Sequence, residues 1–69
     1  MHVMSREELL RIELERLRDE HRDLDAAILA FAERPAADQL ALKRMKKRKL
    51  ILRDRMQRIE DELTPDIIA

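Results

Sequence analysis

The sequence contains no cysteine, glycine, tryptophan or tyrosine, and its one aromatic residue is Phe31. Without cysteine there is no disulfide, no thiolate zinc site and no cysteine nucleophile. Without glycine there is no loop of the kind that cradles phosphates, because those loops need close backbone approaches that a Cβ blocks. A lone aromatic leaves no platform on which successive bases could stack. No run of about eighteen apolar residues exists, and the opening stretch from Met1 to Arg16 has no uninterrupted apolar segment. Neither a membrane span nor a secretory signal is therefore expected, and the chain reads as cytoplasmic and soluble.

What is present is charge in a helical rhythm. Asp, Glu, Lys and Arg make up 43% of the 69 residues, a composition of long helices and coiled coils rather than of sheets. The formal net charge is zero, but residues 6–34 carry nine acids and six bases, whereas residues 38–63 carry five acids and nine bases. Two oppositely biased halves are expected to face each other before they face an external polyanion.

In the second half, apolar residues recur at Leu42, Met45, Leu52, Met56, Ile59 and Leu63 in alternating steps of three and four. This is a heptad stripe with Leu42, Met56 and Leu63 at a positions and Met45, Leu52 and Ile59 at d positions. Lys49 occupies the remaining a position. A matching stripe runs through the first half as Leu10, Leu14, Leu17, His21, Leu24, Ile28 and Phe31, with His21 as its polar intruder. Ser5 and Glu8 have the spacing of a capping box, with Met4 and Leu9 placed as a hydrophobic staple, so the first helix should start at Arg6.

Pro35 disfavours helical geometry at Arg34 and has no amide to continue the ladder, which ends the first helix. Either Asp38 caps the second helix or Pro35 is its first residue, and both place the restart between 35 and 39. Thr64 and Pro65 end it. The expectation is one domain: helix 6–33, connector 34–38, helix 39–63 and tail 64–69. Two helices of roughly 40 Å on so short a connector can only fold back antiparallel.

The flanking charges support that arrangement. With paired residue numbers totalling about 70, the cross-helix neighbours are Asp25 with Lys46, Arg11 with Glu60, Arg6 with Glu62, Glu13 with Arg55, Glu20 with Arg48, and Arg18 with Arg53. Five of these six attract. Layering a against d instead prefers a total of 73, which sets His21 against Leu52 and Leu24 against Lys49. Both registers put the bend at Pro35 and bring His21 and Lys49 close together.

A single hairpin of this size has little core to stabilise it. Leu9, Ile12, Leu29, Leu40, Leu50 and Ile51 fall off the seam, and Ile67 and Ile68 lie in the tail, which together make a second apolar surface. The fold class expected is all-α, an antiparallel two-helix coiled-coil hairpin that assembles with itself, most simply into a dimeric four-helix bundle. Leu9, Ile12, Leu50 and Ile51 are the candidate oligomer contacts.

Candidate chemistry is sparse. In the basic run 43–49, Lys46 and Arg48 flank the seam and Lys49 points toward it, leaving Lys43, Arg44 and Lys47 facing outward as a candidate polyanion contact. Three such charges would give a salt slope of about −3. Their plainer reading is a solvated, partly self-paired face. His21, with Asp25 one turn on or with His2, falls short of any recognisable ligand set and reads as a seam histidine satisfied by Glu20, Asp25 or water. Lys49 reads as a polar a residue that sets register and oligomer state rather than as a reactive amine. Met45 and Met56 sit on the seam and are core filler. No catalytic constellation, cofactor site or metal site can be assembled, so no enzyme is expected.

Certain segments together resemble a known family. They are Glu20-His21-Arg22-Asp23-Leu24-Asp25-Ala26-Ala27-Ile28, then Pro35 with Asp38-Gln39-Leu40-Ala41-Leu42, then Leu42 through Asp54, and the closing Leu63-Thr64-Pro65-Asp66-Ile67-Ile68-Ala69. This combination is similar to the YdcH-like family of small bacterial helical-hairpin proteins, over about residues 8 to 69. Arg55 departs from the family pattern, which more often has an acid there. The resemblance implies a bacterial cytoplasmic hairpin with no established biochemical role. The function expected is a non-enzymatic structural or adaptor module that binds itself and another protein through its charged outer surface, with weak nucleic-acid binding through residues 43–49 as the alternative.

Overall fold

The computed structural model describes residues 3–64, which form two α-helices and, among those residues, no strand. α1 spans Arg6–Ala32 and α2 spans Gln39–Leu63. The two pack against each other as an antiparallel hairpin.

Local chemistry sets the four helix ends. Ser5 Oγ accepts from the amide of Glu8 at 3.1 Å while Glu8 Oε1 accepts from the amide of Ser5 at 3.4 Å, which completes the capping box. Met4 and Leu9 stay exposed beside it. α1 ends one residue short of the expected position, with Glu33 as its cap. There the amide of Arg34 donates to the carbonyl of Phe31 at 3.2 Å, and its guanidinium lies 5.3 Å from the centre of the Phe31 ring. That tight turn, followed by Pro35, forbids another α-helical bond. Of the two ways to start α2, the structure takes the first: Asp38 Oδ1 accepts from the amides of Leu40 and Ala41 at 3.0 and 3.3 Å, and Pro35 stays in the connector. Thr64 closes α2 by donating its amide to the carbonyl of Glu60 at 2.9 Å.

All twelve apolar seam residues are buried or half-buried, so the two heptad stripes meet as the spacing requires. Leu17 and Leu52 are wholly buried, with Leu14, Ile28 and Leu42 nearly so. The remaining seven, from Leu10 to Leu63, are half-buried because nothing covers the ends and sides of a two-helix seam. His21 and Lys49, the two polar seam positions, are half-buried as well.

Candidate interaction surfaces

Antiparallel helices bring the e positions of one beside the e positions of the other, and likewise g beside g, so the hairpin has two distinct flanks. On one, Arg6 donates to Glu62 through Nε at 3.0 Å and through Nη2, and Arg48 Nη2 donates to Glu20 Oε1 at 2.9 Å. On the other, Arg18 Nη2 lies 3.6 Å from Glu60 Oε1. The residue numbers total 68 in the first two pairs and 78 in the third. The seam lies midway, at 73, which is the total for a-against-d layering. His21 is therefore level with Leu52, and Lys49 with Leu24.

The Glu20 flank carries a connected set of ion pairs, with Arg55 beside it lacking a hydrogen-bond or ion-pair partner among the described residues. Arg16 bridges Glu13, at 2.7 Å from Nη2 to Oε1, and Glu20, at 3.2 Å from Nη1 to Oε2. With Arg48 this makes a chain of four side chains across both helices. The hydrogen bond from Arg16 pulls the Glu13 carboxyl below its ordinary pKa, with smaller help from the charges of Arg16 and Arg55. The bond from Arg48 does the same for Glu20.

The polar seam layer is organised by a third residue. Lys49 Nζ donates to Asp25 Oδ1 at 2.7 Å, which lowers the Asp25 pKa, and the charge of His21 one turn away adds to the effect. The plainer reading of the two seam residues thus has a concrete form: Asp25 is the acceptor that lets Lys49 reach out of an apolar layer.

Four of the six expected neighbours are replaced, one of them on the Glu20 flank, where Glu13 takes Arg16 of its own helix rather than Arg55. Asp25 takes Lys49 rather than Lys46, Glu60 takes Arg18 rather than Arg11, and Arg18 accordingly avoids Arg53. Arg11 turns back to Glu7 at 2.6 Å within α1. Asp25 is engaged by Lys49, which leaves neither Lys46 nor Arg53 an ion-pair partner across the seam.

The basic run therefore splits. Arg48 and Lys49 are held across the interface, whereas Lys43, Arg44, Lys46 and Lys47 are exposed and, among the described residues, have no hydrogen-bond or ion-pair partner. Lys46 is the one the sequence reading assigned to a pair. The Arg34 and Phe31 contact at the turn was also not anticipated, although the i, i+3 spacing of a cation after an aromatic was there to be noticed.

Of the candidate oligomer contacts, Leu9, Ile12, Leu50 and Ile51 are all exposed, as are Leu29 and Leu40. Adjacent helical residues project about 100° apart, so Leu50 and Ile51 serve different flanks. Ile51 shares the Glu20 flank with Leu9, Leu50 shares the Lys46 flank with Leu29, and Ile12 and Leu40 lie on the backs of their helices. Ile67, Ile68 and His2 lie outside the described residues. A shallow open notch between the helix ends is lined by Arg6, Glu7, Leu10, Glu62 and Leu63. Among the described residues no three His, Asp or Glu side chains converge as metal ligands, and no helix is long and apolar enough to cross a membrane.

A family model described as a protein of unknown function (DUF465) matches residues 14–60, more than half of the chain. The match agrees with the resemblance to the YdcH-like family carried by Glu20 to Ile28 and Lys46 to Asp54. No curated protein and no solved structure matches the chain.

Proposed function

We propose a binding role for this chain, which belongs to the DUF465 family of proteins of unknown function: a non-enzymatic structural or adaptor module that associates with itself and offers its charged surface to another protein. One observation carries the reading. Five large apolar side chains are buried, whereas eight are exposed. With seven further seam residues only half-buried, the apolar surface left in water supports a chain that buries it in an assembly.

Self-association uses the flank that carries the Glu13, Arg16, Glu20 and Arg48 network, because charges that already have partners are less costly to cover, and the long side chains of Arg44, Arg55 and Arg58 there can keep their heads in water. Two copies related by a two-fold axis across the Glu20 flank bring Leu9 of one against Ile51 of the other, giving a four-helix bundle that leaves Ile12 on the helix back. Leu50 takes no part in this arrangement. His21 and Lys49 set the register of the seam. The setting implied by the family resemblance is the bacterial cytoplasm.

A second reading, contact with a polyanion through Lys43, Arg44 and Lys47, is favoured by their exposure and lack of partners. Sedimentation equilibrium at micromolar concentration tests the first reading, and a monomeric mass would remove it. An electrophoretic mobility shift at two salt concentrations tests the second. Steep salt-sensitive retardation that disappears when the three residues are neutralised would establish it, and no retardation at low salt would end it.

A further inference from the structure

We infer that the turn-proximal half of the Lys46 flank is a docking surface for an acidic amphipathic helix of a different protein. The inference rests on the reading of the chain as a binding module and names the surface and the chemistry of its partner.

The exposed α2 cations of this flank have no acid partner; Arg44, Arg55 and Arg58 on the Glu20 side and Lys47 on the back of α2 also lack one among the described residues. Every arginine of α1 is in an ion pair, yet Lys43, Lys46 and Arg53 of α2 have none among the described residues. Lys49 has taken Asp25, the acid of α1 that this flank could have offered Lys46 or Arg53, and Lys43 projects beside them. Two leucines stand in this basic field, one on each helix, Leu29 at 63% exposure and Leu50 at 52%. They are roughly 9 Å apart along the hairpin axis, and Lys43 to Arg53 spans roughly 15 Å. That is the length of two to three helical turns, with apolar anchors on both banks of the groove between α1 and α2. A third helix laid there puts its own apolar stripe on Leu29 and Leu50 and its flanking carboxylates on Lys43, Lys46 and Arg53.

Charge decides the occupant. A second copy would have to supply acids, and the carboxylates without a partner among the described residues are Asp23, Glu33 and Asp54. Asp23 belongs to the opposite flank, and Glu33 and Asp54 to the helix backs, so two copies would set cation against cation. Nucleic acid satisfies the charges but not the leucines, and no aromatic on this flank offers a base a stacking surface.

The test uses the full chain with a synthetic three-heptad peptide carrying Leu at a and d and Glu at e and g, beside the same peptide with Lys for Glu, a duplex DNA, and vesicles of phosphatidylglycerol and phosphatidylcholine. Binding is followed by anisotropy of the labelled probe and amide chemical shifts of the protein, and mass by sedimentation in the same buffer. The expected result is binding of the Glu peptide with shifts at Leu29, Lys46, Leu50 and Arg53. Affinity should weaken at least ten-fold in Lys46→Glu/Arg53→Glu and in Leu29→Ser/Leu50→Ser, at unchanged helical content. Equal binding of the Lys peptide, absence of binding, or tighter binding of DNA or vesicles that ignores the leucine changes would overturn it. An assembled mass without peptide binding removes this inference alone, whereas a monomeric mass with peptide binding removes only the self-association.

Discussion

Lys49 and Asp25 meet at 2.7 Å across the hairpin, the amine leaving an apolar layer to reach a carboxylate on the neighbouring helix one position outside the seam. Both remain partly exposed, so the pair is screened by water and adds little to stability. The same bond withdraws Asp25 from Arg53, which leaves that flank basic.

Replacing the lysine should therefore stabilise the hairpin. Lys49→Leu completes the heptad stripe and should gain about 1 kcal/mol of burial, or roughly 4–8 °C in Tm for a chain of this size. The range of oligomers should broaden as the polar marker of register is lost. A lower Tm at unchanged mass would show that Lys49 does not have this role.

The core and the outer apolar residues should respond differently to truncation. Leu52→Ala removes a wholly buried side chain and should cost about 2–5 kcal/mol, enough to lower helical circular dichroism outright in so small a fold. Ile51→Ser, one residue away and 40% exposed, should leave the dilute chain folded and reduce its sedimenting mass. Equal loss of helix in both variants would contradict the assignment of Ile51 to the outer surface.

Acid should weaken the hairpin in a defined direction. Glu13, Glu20 and Asp25 each have a folded-state pKa below the ordinary value, so each contributes stability above that value and loses it as pH falls through the lowered one. Thermal unfolding should be nearly independent of pH from 7 to 5 and should decline below about pH 4. Melting curves that stay constant down to about pH 2.5 would mean that these pairs add nothing to folding.

The caps act on their own helices. Asp38→Ala removes the acceptor for two amides and should cost about 1 kcal/mol, seen as faster hydrogen exchange at Leu40 and Ala41. Ser5→Ala should do the same at Glu8. Uniform acceleration along both helices would point instead to global loss of stability.

The stripes, the capping box and the break at Pro35 could all be read from the sequence, because each depends on residues within one or two helical turns of each other. Antiparallel folding followed from the short connector. The identity of the ion pairs was less legible. Arg11 and Arg18 each have acids within reach on their own helix and across the seam, and alternatives that differ by one turn in register look equally good when only charges are counted. Arg6 with Glu62 and Arg48 with Glu20 were recoverable because they tolerate either register.

By itself, the amino-acid order determined two amphipathic helices, their ends and a hairpin, since periodicity and capping are local and no competing structure suits a glycine-free, heptad-patterned chain. Only the packed structure decided that a meets d at the seam, that Lys49 captures Asp25, and that Lys43, Lys46 and Arg53 stay unpaired around Leu29 and Leu50. Those outcomes turn on a register shift of a few residues, and burial of Leu17 against its neighbours, not the pattern of charge, selects among them.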